Sequence, residues 1–285
     1  MTTHEWKLGG DLRVSRIGYG AMKLAGWPHG DQPARDTSLA ILRRAVELGV
    51  NHIDTSNYYA RDGVAANALI REALHPYPDD LVLVTKVGAL VEGSDVGLDE
   101  DQLRGLTPDN LRRGVEANLT TLGVDRMDVV NLRMGDQPGE SLAGPLETLL
   151  ALREEGLIRH LGVSNVSAAD VELARRVAPI ACVQNQYNVS RRDDDAVVDA
   201  CAAAGIAYVP FFPVGGFRPL ESRTLAAVAA RRGATVPQVA LAWLLERSPN
   251  ILLIPGTSSL SHLEENIAAG SLRLTAQDLA DLGLR

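Results

Sequence analysis

Cysteine is scarce: Cys182 and Cys201 are the only two in 285 residues. They have neither C-x-x-C nor zinc spacing, so the expectation is two buried thiols in a reduced compartment. Basic charge is in deficit, with 28 Lys and Arg against 36 Asp and Glu, a net charge of -8. That balance gives no electrostatic reason to bind nucleic acid or an anionic membrane. No apolar run approaches the roughly 18 residues a membrane-spanning helix needs. The opening "MTTHEWKLGG" lacks the basic segment and apolar stretch of a signal peptide. Metal-ligand spacing is missing throughout, and no linker-like or low-complexity stretch divides the chain. The expectation is a cytoplasmic protein with neither nucleic-acid nor membrane partners; a small-molecule substrate and a monomer or small homo-oligomer are expected without being set by these absences.

What is present is an ordinary globular composition, 46% hydrophobic and 22% charged, able to bury a sizeable core. Eight β-rich runs recur: "RIGYGAM" (16–22), "HIDTS" (52–56), "LVLVTKV" (81–87), "MDVVNLR" (127–133), "HLGVSN" (160–165), "CVQNQY" (182–187), "AYVPFFP" (207–213) and "ILLIPG" (251–256). Most are continuously apolar, the pattern of parallel strands covered on both faces. Helical patterns fill most gaps, one with Thr107 as N-cap, Pro108 in the first turn and Gly123 as stop. Two helices are expected between the seventh and eighth runs, the second starting near Pro237. The N-terminal "HEWKLGGDLRVSRI" predicts a hairpin turning at Gly9-Gly10. The sum is one (β/α)8 TIM barrel over residues 1–285, with a short N-terminal β-hairpin and extra C-terminal helices. A doubly wound Rossmann sheet competes poorly. Its best hook, "GYGAMK", has two of three fingerprint glycines and no acidic residue at the end of the next strand.

In such a barrel, chemistry gathers at the C-terminal ends of the strands. The polar residues expected there are Asp54 and Tyr59, Lys86, Arg133, Ser164 with Asn165, Gln184, and Phe211 before "PVGG". Each has a bland reading: Asp54 can cap a turn, and Tyr59 beside Tyr58 can be surface filler. Lys86 within "VLVTKVG" is harder to dismiss, because an ammonium in an apolar strand is costly unless paired or functional. Together the three suggest a device in which a carboxylate holds an ammonium that lowers a phenol's pKa from about 10 by roughly 1–3 units. Such a phenol exchanges protons near neutral pH. "RRDDD" (191–195) reads as an acidic helix start on a solvated face.

The stretches "GYGAMKLAG", "HIDTSNYYA", "VLVTKVG", "LGVSN", "VQNQYN" and "IPGTSSLSHLEEN", in that order, resemble the aldo-keto reductases along essentially the whole chain. The resemblance implies hydride transfer between a nicotinamide cofactor and a carbonyl or alcohol. It implies Tyr59 as general acid, Lys86 as the group that tunes it, and Asp54 as the partner of Lys86. Ser164, Asn165 and Gln184 fall where the nicotinamide carboxamide is held, and Phe211 where a ring stacks on it. Gly20, Ala21, Met22, Pro213 and Gly215 belong to the same cofactor-binding set. Gly256, Thr257, Ser258 and His262 fall around the adenosine 2′-phosphate, and Glu265 with Asn266 around the adenine. The expected cofactor is NADPH/NADP+, with NADH as the alternative.

Two departures stand out. Arg133 occupies the place of the family's histidine. An arginine donates hydrogen bonds but cannot exchange a proton, so it would act by orientation and charge. His52 and His160 open their strands, at the wrong end to substitute; His29, in the loop after the first strand, remains a candidate. At the 2′-phosphate, Gly256 and His262 stand where a lysine and an arginine are usual. These departures most resemble the bacterial pyridoxal reductase branch, which implies reduction of pyridoxal to pyridoxine. Trp27, His29, Tyr59 and Arg133 are the expected substrate contacts. Another carbonyl substrate, or a non-catalytic NADP(H)-binding redox-sensing subunit, remains open at this point.

Overall fold

A computed structural model of the chain describes residues 5–28, 30–88, 105–135, 141–216 and 220–284. The chain opens with β1 (Glu5–Leu8) and β2 (Leu12–Ser15), an antiparallel hairpin in which Gly9 and Gly10 take φ of 63° and 91°. Those left-handed values favour glycine, which explains the turn at the expected place. β3 (Tyr19–Gly20), α1 (Arg35–Glu47) and β4 (His52–Asp54) follow. A small ribbon, β5 (Ala60–Arg61) with β6 (Val64–Ala65), leads into α2 (Ala66–Leu74). Then come β7 (Val82–Gly88), α3 (Pro108–Leu122), β8 (Met127–Arg133), α4 (Ala143–Glu154), β9 (Ile158–Ser164) and α5 (Ala168–Val177). β10 (Ile180–Gln184), α6 (Asp195–Ala203) and β11 (Ala207–Tyr208) complete the sheet.

The seven strands β3, β4, β7, β8, β9, β10 and β11 are all parallel and neighbour one another in chain order. The order never reverses, so there is no switch point of the kind a doubly wound sheet needs. The eighth run forms bridges rather than a regular strand, and these close the ring. Ile251 bridges Tyr208 on one side, and Leu253 bridges Ile17 on the other. Gly20 and Gly256 meet at this seam. A Cβ on Gly20 would lie 2.6 Å from the Ile254 carbonyl, and one on Gly256 would lie 2.6 Å from the Gly20 carbonyl. Only bare backbone fits there.

The expected helix signals are visible as caps. Thr107 accepts from the Asn110 N–H, Pro108 stands in the first turn, and Gly123 ends α3 with φ of 72°. α7 (Arg223–Arg232) and α8 (Val236–Arg247) are the two helices before the eighth segment. α9 (Leu260–Ala268) and α10 (Ala276–Asp281) are the C-terminal additions. α10 is held to α7 through Asp278, fully buried, which accepts hydrogen bonds from Arg231, Arg232 and Thr275. The acidic helix start differs from expectation, because its carboxylates are not merely solvated. Asp194 accepts from Asn185 and Tyr208, each at 2.7 Å, and Asp195 from Tyr187 and Arg247. They fasten α6 to the strands beneath it. Both cysteines are free and buried, and burial pushes each thiol up to about 12.

The hairpin closes the N-terminal end of the barrel. Leu8, Leu12 and Val14 pack with inward residues of the strands, among them Val82, Val129 and Ala181. Asp11 in its turn pairs with Arg159 and His160 at 2.7 and 2.6 Å. His52 is buried at the start of β4, with the Leu253 backbone as its polar neighbour. Burial lowers its pKa from 6.5 to about 4. The unfolded chain therefore takes up this proton first as the medium acidifies. The stability it confers is complete above pH 6.5 and declines toward pH 4, by up to about 3 kcal/mol. Urea unfolding at pH 7.5 and pH 4.5 should show a smaller loss in His52→Phe than in the wild type.

Candidate active site

The strand ends converge at the opposite mouth, around a cavity of about 290 Å³. The parallel register explains how. Arg133 pairs with Ser164, and Ser164 with Gln184, so β8, β9 and β10 deliver their last residues in one row. Gly20 pairs with Asp54 on the other side of the ring.

At the centre, the Lys86 ammonium donates to Asp54 Oδ1 at 2.5 Å and to the Thr55 carbonyl at 3.0 Å. The Gln184 amide donates to Asp54 Oδ2 at 2.8 Å. Both members of the pair are nearly sealed, with side chains 3% and 4% exposed, so the charges persist only by satisfying each other. A buried hydrogen-bond network fixes the backbone around them. The Asn118 side-chain oxygen accepts from Thr85 at 2.6 Å and from Asn67 at 3.0 Å, and Asn67 in turn accepts from Thr55 at 2.8 Å. Thr85 precedes Lys86 and Thr55 follows Asp54, so α2 and α3 hold both strand ends from outside the barrel.

Tyr59 lies in the same cavity, its ring centroid 5.0 Å from the Lys86 ammonium. The expected depression of its pKa is not found. Burial leads in holding the phenol protonated, Asp54 adds to it, and Arg133 alone opposes. The physical reason is burial, which disfavours the phenolate more than the Arg133 guanidinium favours it. In this structure Tyr59 is a protonated phenol, its pKa held above the ordinary range. Arg133 is half-buried, borders the cavity, and makes no ion pair or hydrogen bond with another described residue. Lys23 is a second cation at this cavity for which no ion pair forms among the described residues.

Other expected residues fall into three groups. Gly20, Met22, Trp27, Phe211, Pro213 and Gly256 border the cavity. Ser164 is buried directly opposite Arg133 in the register, and its hydroxyl, like Gln184 Oε1, finds no partner among the described residues. Asn165 donates to the Met134 carbonyl at 3.0 Å from a left-handed φ of 58°. Ala21 and Gly215 do not border the cavity. Ala21 is buried in the turn after β3, and Gly215 donates to Phe212 O. Thr257, Ser258, His262, Glu265 and Asn266 lie outside it, along the last loop and the first turns of α9. Tyr19 anchors that loop, donating to the Thr257 carbonyl at 2.7 Å. His29 lies outside the described residues. His52 and His160 are at the closed end, as their positions in the sequence indicated.

The cavity also includes residues that sequence reasoning passed over: Lys23, Tyr58, Phe212 and Val214. Lys23 could have been found as the cation that ends "GYGAMK" just beyond a strand end. Tyr58 had no such signal, since alternation along a strand says nothing about a loop.

A parallel barrel that gathers a buried carboxylate–ammonium pair, a protonated phenol and an unpaired guanidinium over one cavity is a barrel enzyme. The sequence profile of the Aldo/keto reductase family matches residues 16–283. Over 280 residues the chain is 53% identical to pyridoxine 4-dehydrogenase of Escherichia coli, covering 96% of this chain and 95% of that protein. A solved thermostable aldo-keto reductase, in complex with the inhibitor epalrestat, superposes with a TM-score of 0.84 at 29% identity over 98% of both chains. An aldo/keto reductase from Klebsiella pneumoniae, in complex with NADP and acetate, gives 0.81 at 28% identity, over 98% of this chain and 94% of that one. The chain belongs to the aldo/keto reductase family and is an oxidoreductase. No helix among the described residues is long and apolar enough to cross a membrane.

Proposed function

We propose that the protein reduces an aromatic aldehyde, pyridoxal in the first instance, to the alcohol with NADPH. The observation that carries this reading is the unpaired Arg133 facing the same cavity as the Tyr59 phenol. The 3-hydroxyl of pyridoxal is ortho to the aldehyde and ionises readily. Arg133 pairs with that oxyanion while Tyr59 hands its proton to the aldehyde oxygen. Lys86 and Asp54 fix the ring of Tyr59 and the floor beneath it.

The residues present fit a nicotinamide. Its carboxamide needs a donor and an acceptor, and the orphaned Ser164 hydroxyl and Gln184 Oε1 supply one of each. Phe211 offers a ring at the cavity wall. When bound, the nicotinamide supplies the hydride that reaches the carbonyl carbon. Thr257, Ser258 and His262, with the amide end of α9, would hold the 2′-phosphate in place of the usual cations. This favours NADPH over NADH. The solved Klebsiella pneumoniae relative contains NADP. A sensing subunit without turnover has no use for a buried ion pair beneath a protonated phenol, which argues for catalysis.

The test is NADPH oxidation with pyridoxal and with benzaldehyde, for the wild type and Arg133→Met. Pyridoxal turnover should fall about 10–100-fold in the variant, the worth of one charge-assisted hydrogen bond of roughly 1.5–3 kcal/mol. Benzaldehyde should lose far less. Equal losses would remove the oxyanion role.

A further inference from the structure

We infer that Arg61, which lies outside the cavity, is a positioning residue for the reaction: its guanidinium clamps the loop that carries Trp27 onto the ribbon that follows Tyr59, and so sets the wall against which an aromatic substrate ring lies. This rests on the reading that the cavity takes the aldehyde, and adds to it a residue that acts through another.

The ribbon is tight. Asp62 and Gly63, its two turn residues, take φ of 50° and 78°, the left-handed pair of a two-residue hairpin turn. Tyr59 is held on both sides: its N–H donates to the Ser56 carbonyl at 3.1 Å, and its carbonyl accepts from the Ala66 N–H at 2.9 Å. Arg61 thus leaves a fixed backbone, and all three of its guanidinium nitrogens are engaged. Nη1 donates to the Gly26 carbonyl at 2.5 Å, Nη2 to the Gly30 carbonyl at 2.6 Å, and Nε to the Asp62 carboxylate at 3.1 Å. The side chain is 26% exposed, so water screens these bonds only in part. A return bond comes from the loop, where the Gln32 amide donates to the Arg61 carbonyl at 2.7 Å and to the Ala25 carbonyl at 3.1 Å. Among the described residues, every hydrogen bond between this loop and the ribbon involves Arg61.

The loop is shaped to receive the fork. Gly26 takes φ of 62°, and a Cβ there would lie 2.8 Å from Gln32 Cγ and 3.1 Å from Arg61 Nη2. The clamp therefore closes over bare backbone. Trp27 comes next in the chain. Its ring is buried at the border of the cavity, 5.2 Å from that of Tyr59. Between Ala25 and α1 the described residues form neither helix nor strand, so the position of this wall comes from the clamp and from ring packing. Opening the clamp would loosen Trp27 and leave Tyr59, Lys86 and Asp54 in place. A substrate with a ring would then bind more weakly, whereas one without a ring has little wall to lose.

The experiment follows NADPH oxidation with benzaldehyde and with propanal for the wild type, Arg61→Ala and Gln32→Met, with fluorescence titration of the cofactor and thermal unfolding of each protein. For Arg61→Ala the expected result is a KM for benzaldehyde raised about 10-fold, with kcat, the KM for propanal and NADPH affinity little changed. Guanidinium chloride at millimolar concentration should bring the benzaldehyde KM of Arg61→Ala back toward the wild-type value by refilling the fork. Gln32→Met removes the return bond and keeps Arg61, and should show the same split at smaller size. A loss confined to kcat, an equal rise in KM for both aldehydes, or no response to guanidinium would overturn the positioning role. If Arg61→Ala does not fold, Gln32→Met decides, and an unchanged benzaldehyde KM in it would overturn the clamp. A wild type that reduces neither aldehyde would overturn the reading of the cavity itself, whereas a fully active wild type with unaltered variants would overturn the clamp alone.

Discussion

Tyr59→Phe is expected to lower kcat/KM for aldehyde reduction by about 10²–10⁴-fold, the usual contribution of a positioned proton donor, while leaving cofactor affinity near that of the wild type. The candidates for the proton are few. Arg133 cannot release one, since an arginine stays protonated at any working pH. Lys86 directs its protons to Asp54 and the Thr55 carbonyl, and stands beside the Tyr59 ring at 5.0 Å from its centroid. Tyr58 and Lys23 also border the cavity, and the proposed donor is the Tyr59 hydroxyl, which phenylalanine removes without disturbing the ring contacts to Trp27 and Tyr58 at 5.2 Å each. NADPH oxidation measures the first quantity and fluorescence titration of the cofactor the second. A variant that keeps more than a tenth of wild-type turnover would move the proton elsewhere.

The pH profile follows with its sign. Burial, chiefly, and Asp54 hold the phenol above its ordinary value. The donor therefore remains protonated through the neutral and mildly alkaline range, and the reduction rate should not decline through Tyr59 ionisation between pH 6 and 9. Arg133 works in the other direction, so Arg133→Met should move any alkaline limb further up. A limb that moved down in that variant would show the charges arranged differently from the structure.

The strand ends were legible in the sequence because apolar runs stop where a polar residue must face the mouth. "MDVVNLR" is β8 residue for residue, and Asp54, Lys86, Arg133 and Gln184 all border the cavity. Two features were not legible, for separate reasons. The eighth run joins its neighbours through isolated bridges at Ile251 and Leu253 rather than a regular strand, and at its end Gly20 and Gly256 approach with room for bare backbone only. Periodicity records side chains and is blind to that approach. The sign of the Tyr59 shift was also hidden. Composition along the chain places a lysine near a phenol, but the outcome depends chiefly on how deeply the fold buries that phenol, which a linear sequence does not record.

The Lys86–Asp54 ion pair supports the second large effect. Lys86→Met is expected to destabilise the fold by about 3–5 kcal/mol, because it strands a buried carboxylate with only the Gln184 amide as partner. The double variant Asp54→Asn, Lys86→Met should recover much of that loss, since no charge is then left in the apolar interior. Activity should not recover with it. The ammonium beside the Tyr59 ring is absent from both variants, and with it the cation–ring contact and the hydrogen bond to the Thr55 carbonyl. Both should turn over aldehyde at least about 10²-fold more slowly than the wild type, on the scale of a misplaced catalytic group. Chemical denaturation and steady-state rates on the two variants therefore separate the two duties of Lys86. If stability stays low in the double variant, the pair's hydrogen-bond geometry supports the fold rather than its charge balance. If activity returns, Lys86 only balances the charge of Asp54, and the Tyr59 ring is held by its aromatic neighbours alone.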